Sequence, residues 1–145
     1  MVEMYWVYKK AHSVEMDPNS PDPVLNMMEE QKRTTMMGGS MRLGAYPRKM
    51  TEGTLAHRIY GSTEITERHR LRYEFNNAYL TAFQNAGIVT SGENPATGLA
   101  EIVELPNHPF SIGVQDHPEL KGGVEALAPL FFGCMYAAKE QASKN

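Results

Sequence analysis

The sequence predicts an α/β protein with an incomplete sheet. Two apolar strand-like segments, 100–105 and 110–115, flank a turn from Pro106 to Pro109. Residues 129–142 read as a terminal helix. Between these, helical and extended patterns alternate only in part, so a regular βαβ series is not predicted. The 145 residues are enough for one domain and too few for two ordinary ones. With 41% hydrophobic and 21% charged residues, the composition is that of a folded, soluble chain.

The elements follow in chain order. Residues 1–10 read as the tail of a helix, with bulk from Tyr5, Trp6 and Tyr8. Residues 17–23 hold three prolines, which exclude helix and central strand. Residues 24–31 run from apolar to acidic, and 32–40 form a polar loop ending in Gly38-Gly39. Residues 41–47 read as a strand that stops at Pro47, and 51–60 as a helix capped by Thr51, with Leu55, Ile59 and Tyr60 near one face. Residues 65–75 form a charged strand. Residues 77–86 form a helix with Tyr79, Leu80 and Phe83 inward and Gly87 as its stop. Residues 88–91 are a short strand and 93–97 a turn. The terminal helix is expected to turn Leu130, Phe131, Cys134, Met135 and Ala138 inward.

Several function classes drop out. A net charge of −3 gives no basic footprint for nucleic acid, and Arg68, Arg70 and Arg72 are too few to reverse this. No apolar run approaches the roughly 18 residues of a membrane span, and residues 1–10 lack a secretory pattern. The lone Cys134 permits no internal disulfide and fits a reducing compartment, so a cytoplasmic setting is expected. The clustered Met27, Met28, Met36 and Met37 fit a mobile loop or, less simply, a partner surface.

Three segments carry possible chemistry. In Gln115-Asp116-His117-Pro118-Glu119 a histidine follows an apolar strand, where catalytic groups of open α/β sheets collect. Residues two apart on an extended chain share a side, so Glu119 could orient His117 as a base; a surface turn is the plain alternative. Arg68, Arg70 and Arg72 alternate within Glu67–Glu74. Such a row is either a solvated, salt-bridged edge strand or a clamp for a carboxylate. Gly38-Gly39-Ser40-Met41-Arg42-Leu43-Gly44 is not a phosphate-cradling loop, because no helix with Lys-Ser/Thr follows; it reads as a turn.

Together and in this order, these pieces resemble the C-terminal part of the class I glutamine amidotransferase domain of CTP synthase. Residues 38–44 match that family's Gly-Gly-Thr-Met-Arg-Leu-Gly, and 67–76 match Glu-Arg-His-Arg-His-Arg-Tyr-Glu-Val-Asn. Residues 115–119 match Gln-Phe-His-Pro-Glu, and 11–15 are similar to Ala-Asn-Ser-Thr-Glu. The resemblance runs from about residue 11 to 140 and implies an incomplete flavodoxin-like sheet with flanking helices, in a single partial domain over 1–145. It implies His117 as general base, Glu119 as its orienting carboxylate, and Glu15 and Arg72 as the grip on the ammonium and carboxylate of glutamine or a similar ligand. It implies no cofactor and no metal.

The departures shape the functional expectation. The family's nucleophile is a cysteine in a Gly-x-Cys-Leu-Gly elbow about ten residues before the point where this sequence begins, and nothing here matches it. Cys134 is expected to be a core residue. Asp116 replaces an apolar residue beside His117 and is expected to add local negative charge. Leu71 replaces a histidine, and residues 122–127 replace an Arg- and Pro-containing loop. On its own the chain is expected to be inactive as a glutaminase. Three functions compete: half of a split glutaminase completed by a cysteine-bearing partner, a non-catalytic assembly subunit, and a small hydrolase reusing the four polar residues on an amino-acid-like substrate. A protein partner or a homo-oligomer is expected to cover the open sheet.

Overall fold

A computed structural model describes residues 8, 10–27, 42–123 and 127–144. The expected helix over 1–10 and the loop over 32–40 lie almost wholly outside the described residues, as do most of the clustered methionines. The first strands of the described residues are β1 (Ala11–Ser13) and β2 (Asp22–Asn26). Then come β3 (Arg42–Met50), α1 (Leu55–Tyr60), β4 (Glu64–Leu71) and β5 (Glu74–Phe75). A 3₁₀ turn (Asn77–Tyr79) leads into α2 (Leu80–Asn85), β6 (Val89–Glu93), β7 (Ala100–Glu104) and β8 (Ile112–Val114). A second 3₁₀ turn (Pro118–Leu120) precedes α3 (Pro129–Ala142). The α/β class therefore holds, as curled sheets with flanking helices. No described helix is long and apolar enough to cross a membrane.

The strands form two sheets, ordered β1-β2-β5 and β4-β3-β6-β7-β8. In the first, β1 runs parallel to β2 and β5 antiparallel to it. All pairings in the second are antiparallel. Its edges curl toward each other: the His117 backbone N–H, just past β8, donates to the Arg68 carbonyl of β4 at 2.9 Å. Alternation along β3 and β4 sends Arg42, Arg48, Met50, Ile65, Glu67 and His69 inward and leaves Arg68 and Arg70 in solvent. One apolar cluster is built on Met50, Ala56 and Ile102. A second, on Phe75, Phe83 and Ala100, includes the expected Tyr79 and Leu80.

Four element boundaries differ from expectation. β3 runs through Pro47 to Met50. Met50 N–H donates to the Thr63 carbonyl, and the alternation of an antiparallel ladder then turns the Pro47 nitrogen away from β4. Pro23 sits within β2, the central strand of its sheet, where it pairs with His12. α1 begins at Leu55 and is capped by Thr54, not Thr51; the Thr54 hydroxyl accepts from His57 N–H at 3.2 Å. Buried Glu104 completes that cap, accepting from Leu55 N–H at 2.9 Å and Ala56 N–H at 3.1 Å. The charged strand breaks at Arg72-Tyr73, and Glu74 and Phe75 join the other sheet. The bend lets two consecutive side chains both be buried, which a continuous pleat does not allow.

The terminal helix has the expected bounds but a different inner face. Leu130 is its buried residue, while Phe131, Phe132, Met135 and Tyr136 are between 48% and 65% exposed. Its close approach to α1 is made by Gly133: a Cβ there would lie 2.9 Å from Ile59 Cδ1. Cys134 is exposed rather than part of the core.

Candidate functional site

The end of β8 delivers the histidine. Gln115 N–H donates to the Glu101 carbonyl at 3.0 Å, and His117 N–H to that of Arg68, so the backbone on both sides of Asp116 is fixed before any side chain acts. The chain then turns into the 3₁₀ segment begun by Pro118, rather than staying extended. The turn still brings the pair together: His117 Nδ1 lies 2.7 Å from Glu119 Oε1, with the side chains 38% and 54% exposed. The hydrogen bond from His117 holds the Glu119 carboxyl below the usual glutamate range. An ionised carboxylate only accepts, so the neutral imidazole keeps its proton on Nδ1 and presents the lone pair of Nε2.

Glu15 and Arg72 flank the smaller sheet. Ser13, Leu25 and Phe75 are in register across β1, β2 and β5. Glu15 lies in the turn two residues past Ser13, the last residue of β1, and Arg72 in the bend two residues before Glu74, the first of β5. By register both segments lie beyond the same end of this sheet, and both residues are exposed.

Gln115 joins the two halves. Its Oε1 accepts from Phe75 N–H at 2.9 Å and its amide nitrogen donates to the Ala100 carbonyl. One side chain thus ties the segment after Arg72 to the strand pair that carries His117. Sequence reading singled out the motif but gave this residue no role; a polar side chain in an otherwise apolar strand, two places before a candidate base, was the available signal.

Asp116 behaves differently from the expectation of added negative charge beside His117. It is 6% exposed and paired with Arg48, itself 1% exposed. The guanidinium neutralises it within the fold. Arg48 also approaches Glu101 at 3.6 Å, and Glu101 is shared with Arg42 and, at 2.6 Å, with His69 Nε2. Burial pushes the Glu101 carboxyl up, but the hydrogen bonds from His69 and Arg42 outweigh it and leave it below the usual range. Arg42 also reaches Glu74 at 3.0 Å and stacks 4.4 Å over the Tyr46 ring. Tyr60, half-buried near Asp116 and Glu67, has its phenol pushed up chiefly by burial. Among the described residues, no three His, Cys, Asp or Glu side chains group as metal ligands.

The geometry thus sets a His117–Glu119 contact past the end of β8 and ties the segment after Arg72 to it through Gln115. The profile of the glutamine amidotransferase class-I family matches residues 9–136, and the chain belongs to that family. Within it, the chain is similar to CTP synthases. It is 55% identical over 137 residues to the CTP synthase of Flavobacterium psychrophilum, covering 94% of this chain and 26% of the relative. It is 50% identical to that of Aquifex aeolicus, with the same two coverages. The solved Trypanosoma brucei CTPS glutaminase domain with bound acivicin superposes with a TM-score of 0.84 at 32% identity, over 92% of this chain and 52% of that one. The chain thus spans about a quarter of these curated relatives' length.

Proposed function

We propose that the 145 residues form the base-and-grip half of a CTP-synthase-type glutaminase domain acting in the cytoplasm. In this reading, Arg72 holds the α-carboxylate of glutamine two-toothed and Glu15 its ammonium. His117 Nε2 takes the proton of a cysteine thiol supplied from outside these residues. The thiolate attacks the side-chain amide carbon, and the C–N bond breaks as ammonia leaves with the proton returned from Nε2. Water, deprotonated by the same nitrogen, then cleaves the thioester to glutamate. Glu119 keeps the ring in the tautomer that leaves Nε2 available throughout.

The observation that carries this reading is the 2.7 Å contact between His117 Nδ1 and Glu119 Oε1, at a strand end tied to the Arg72 segment by Gln115. The test is ammonia release from glutamine by the chain mixed with the cysteine-bearing N-terminal part of a related glutaminase domain. Release on mixing, abolished by His117→Ala, is expected. No release with any such partner would overturn the proposal.

A second reading is favoured by one feature. Phe131, Phe132, Met135 and Tyr136 lie exposed on α3, and a groove of about 670 Å³ runs beside them, lined by Ile59, Leu127, Phe132 and Tyr136. In this reading the chain is a non-catalytic subunit whose helix meets a protein partner or a second copy. A stable complex without ammonia release would support it, and a monomer in sedimentation would count against it.

A further inference from the structure

Beneath the site lies a row of buried charges that the proposed chemistry does not use. Asp116, next to His117, pairs with Arg48. Arg48 lies 3.6 Å from Glu101, Glu101 pairs with Arg42, and Arg42 is 3.0 Å from Glu74. The side chains of these five residues are at most 10% exposed. The signs alternate along the whole row. It starts one residue before His117, on the larger sheet, and ends two residues after Arg72, on the smaller one.

Stability is a poor reason for such a row. Buried ion pairs are often matched or exceeded by apolar side chains of similar volume, because desolvation offsets their attraction. What apolar packing supplies less well is direction. Arg42 grips Glu74 and Glu101 with separate arms, while Arg48 hydrogen-bonds Asp116 and lies in ion-pair range of Glu101, so the row can hold two segments at a set separation. Gln115 bridges the same two segments through Phe75 N–H.

We propose that Asp116–Arg48–Glu101–Arg42–Glu74 is a coupler that sets the spacing between the His117–Glu119 dyad and the Arg72 segment, with Glu101 as its central positioning residue. The inference rests on the reading of His117 as base and Arg72 as grip. Glu101 suits the central role because it receives Arg42, Arg48 and His69, from two different strands, while rooted in a third. The other groups around the row are Glu67, which Lys121 approaches at 3.5 Å, and Tyr60.

The test is NMR of the isotope-labelled full chain, following the His117 ring signals at one end and the backbone amides of residues 72–75 at the other. Glu101→Gln is expected to shift both ends and to speed exchange of the Phe75 amide. Arg42→Lys keeps the charge but loses the two-armed bridge; it should move both ends in the same direction and guards against loss of fold in the first variant. Ile102→Val, a buried neighbour on the same strand, should move neither. Shifts confined to one end, or equal shifts from Ile102→Val, would overturn the coupler. A separate titration of the unsubstituted chain with glutamine tests the underlying reading: a chain that shows the two-ended shifts but no response to glutamine retains the coupler and loses the assigned ligand.

Discussion

Replacing Arg48 by methionine should be far more damaging than replacing Arg48 and Asp116 together. Arg48 is 1% exposed and its partner Asp116 6% exposed, so Arg48→Met leaves a carboxylate in the interior with its counter-charge gone. Breaking a buried pair from one side costs about 3–5 kcal/mol, whereas exchanging both partners for apolar residues of similar size is often neutral or stabilising by about 1–4 kcal/mol. The double variant Arg48→Met, Asp116→Leu should therefore recover at least about 3 kcal/mol over the single one. Glu101, 3.6 Å from Arg48, keeps Arg42 and His69 in both variants, so its loss of Arg48 cancels between them. For a chain of this size each kcal/mol corresponds to about 4 °C in Tm, so Arg48→Met should melt about 12–20 °C low. Urea unfolding followed by circular dichroism of both variants is the assay. A single variant within about 1 kcal/mol of the parent, or a double variant no better than the single one, would refute the claim that this pair is desolvated and mutually dependent.

Further outcomes follow from other contacts. Glu104→Gln removes one of two carboxylate acceptors and the negative charge at the start of α1, and should cost about 1–3 kcal/mol in urea unfolding. Gly133→Ala places a Cβ 2.9 Å from Ile59 Cδ1, and should cost about 1–3 kcal/mol, relieved by Ile59→Val. The Glu119 carboxyl is held low by His117, so the contact's contribution is full above the ordinary glutamate range and fades as pH falls through the lowered value. Acid titration of the His117 ring signals should show the dyad separating below that range, and Glu119→Gln should abolish this acid step.

The His117–Glu119 contact was easier to read from the sequence than the packing. The periodicity at residues 129–142 and the turn residues between β7 and β8 gave those elements nearly to the residue. The His-x-Glu step stood out as a histidine after an apolar strand. The orientation of α3 was not legible, because apolar residues fall on most of its sides and the contact with α1 is made by a glycine. Thr51 and Thr54 are equally good caps by type, and the choice was made by Glu104, fifty residues away in sequence and invisible to local pattern. Asp116 looked like an exposed added charge because its partner Arg48 comes from a distant strand. The break at Arg72-Tyr73 was hidden for a similar reason: Glu74 is drawn inward by Arg42, and a charge at that position reads locally as solvent-facing.

The decisive property of the dyad is the tautomer of His117. Nitrogen-15 shifts of its neutral ring, measured in the parent chain and in Glu119→Ala, separate the two possibilities. With Glu119 ionised and accepting, a proton on Nδ1 and a bare Nε2 are expected in the parent, with that preference lost in the variant. A proton on Nε2 in the parent would contradict it, since the ring would then have no lone pair to offer a thiol.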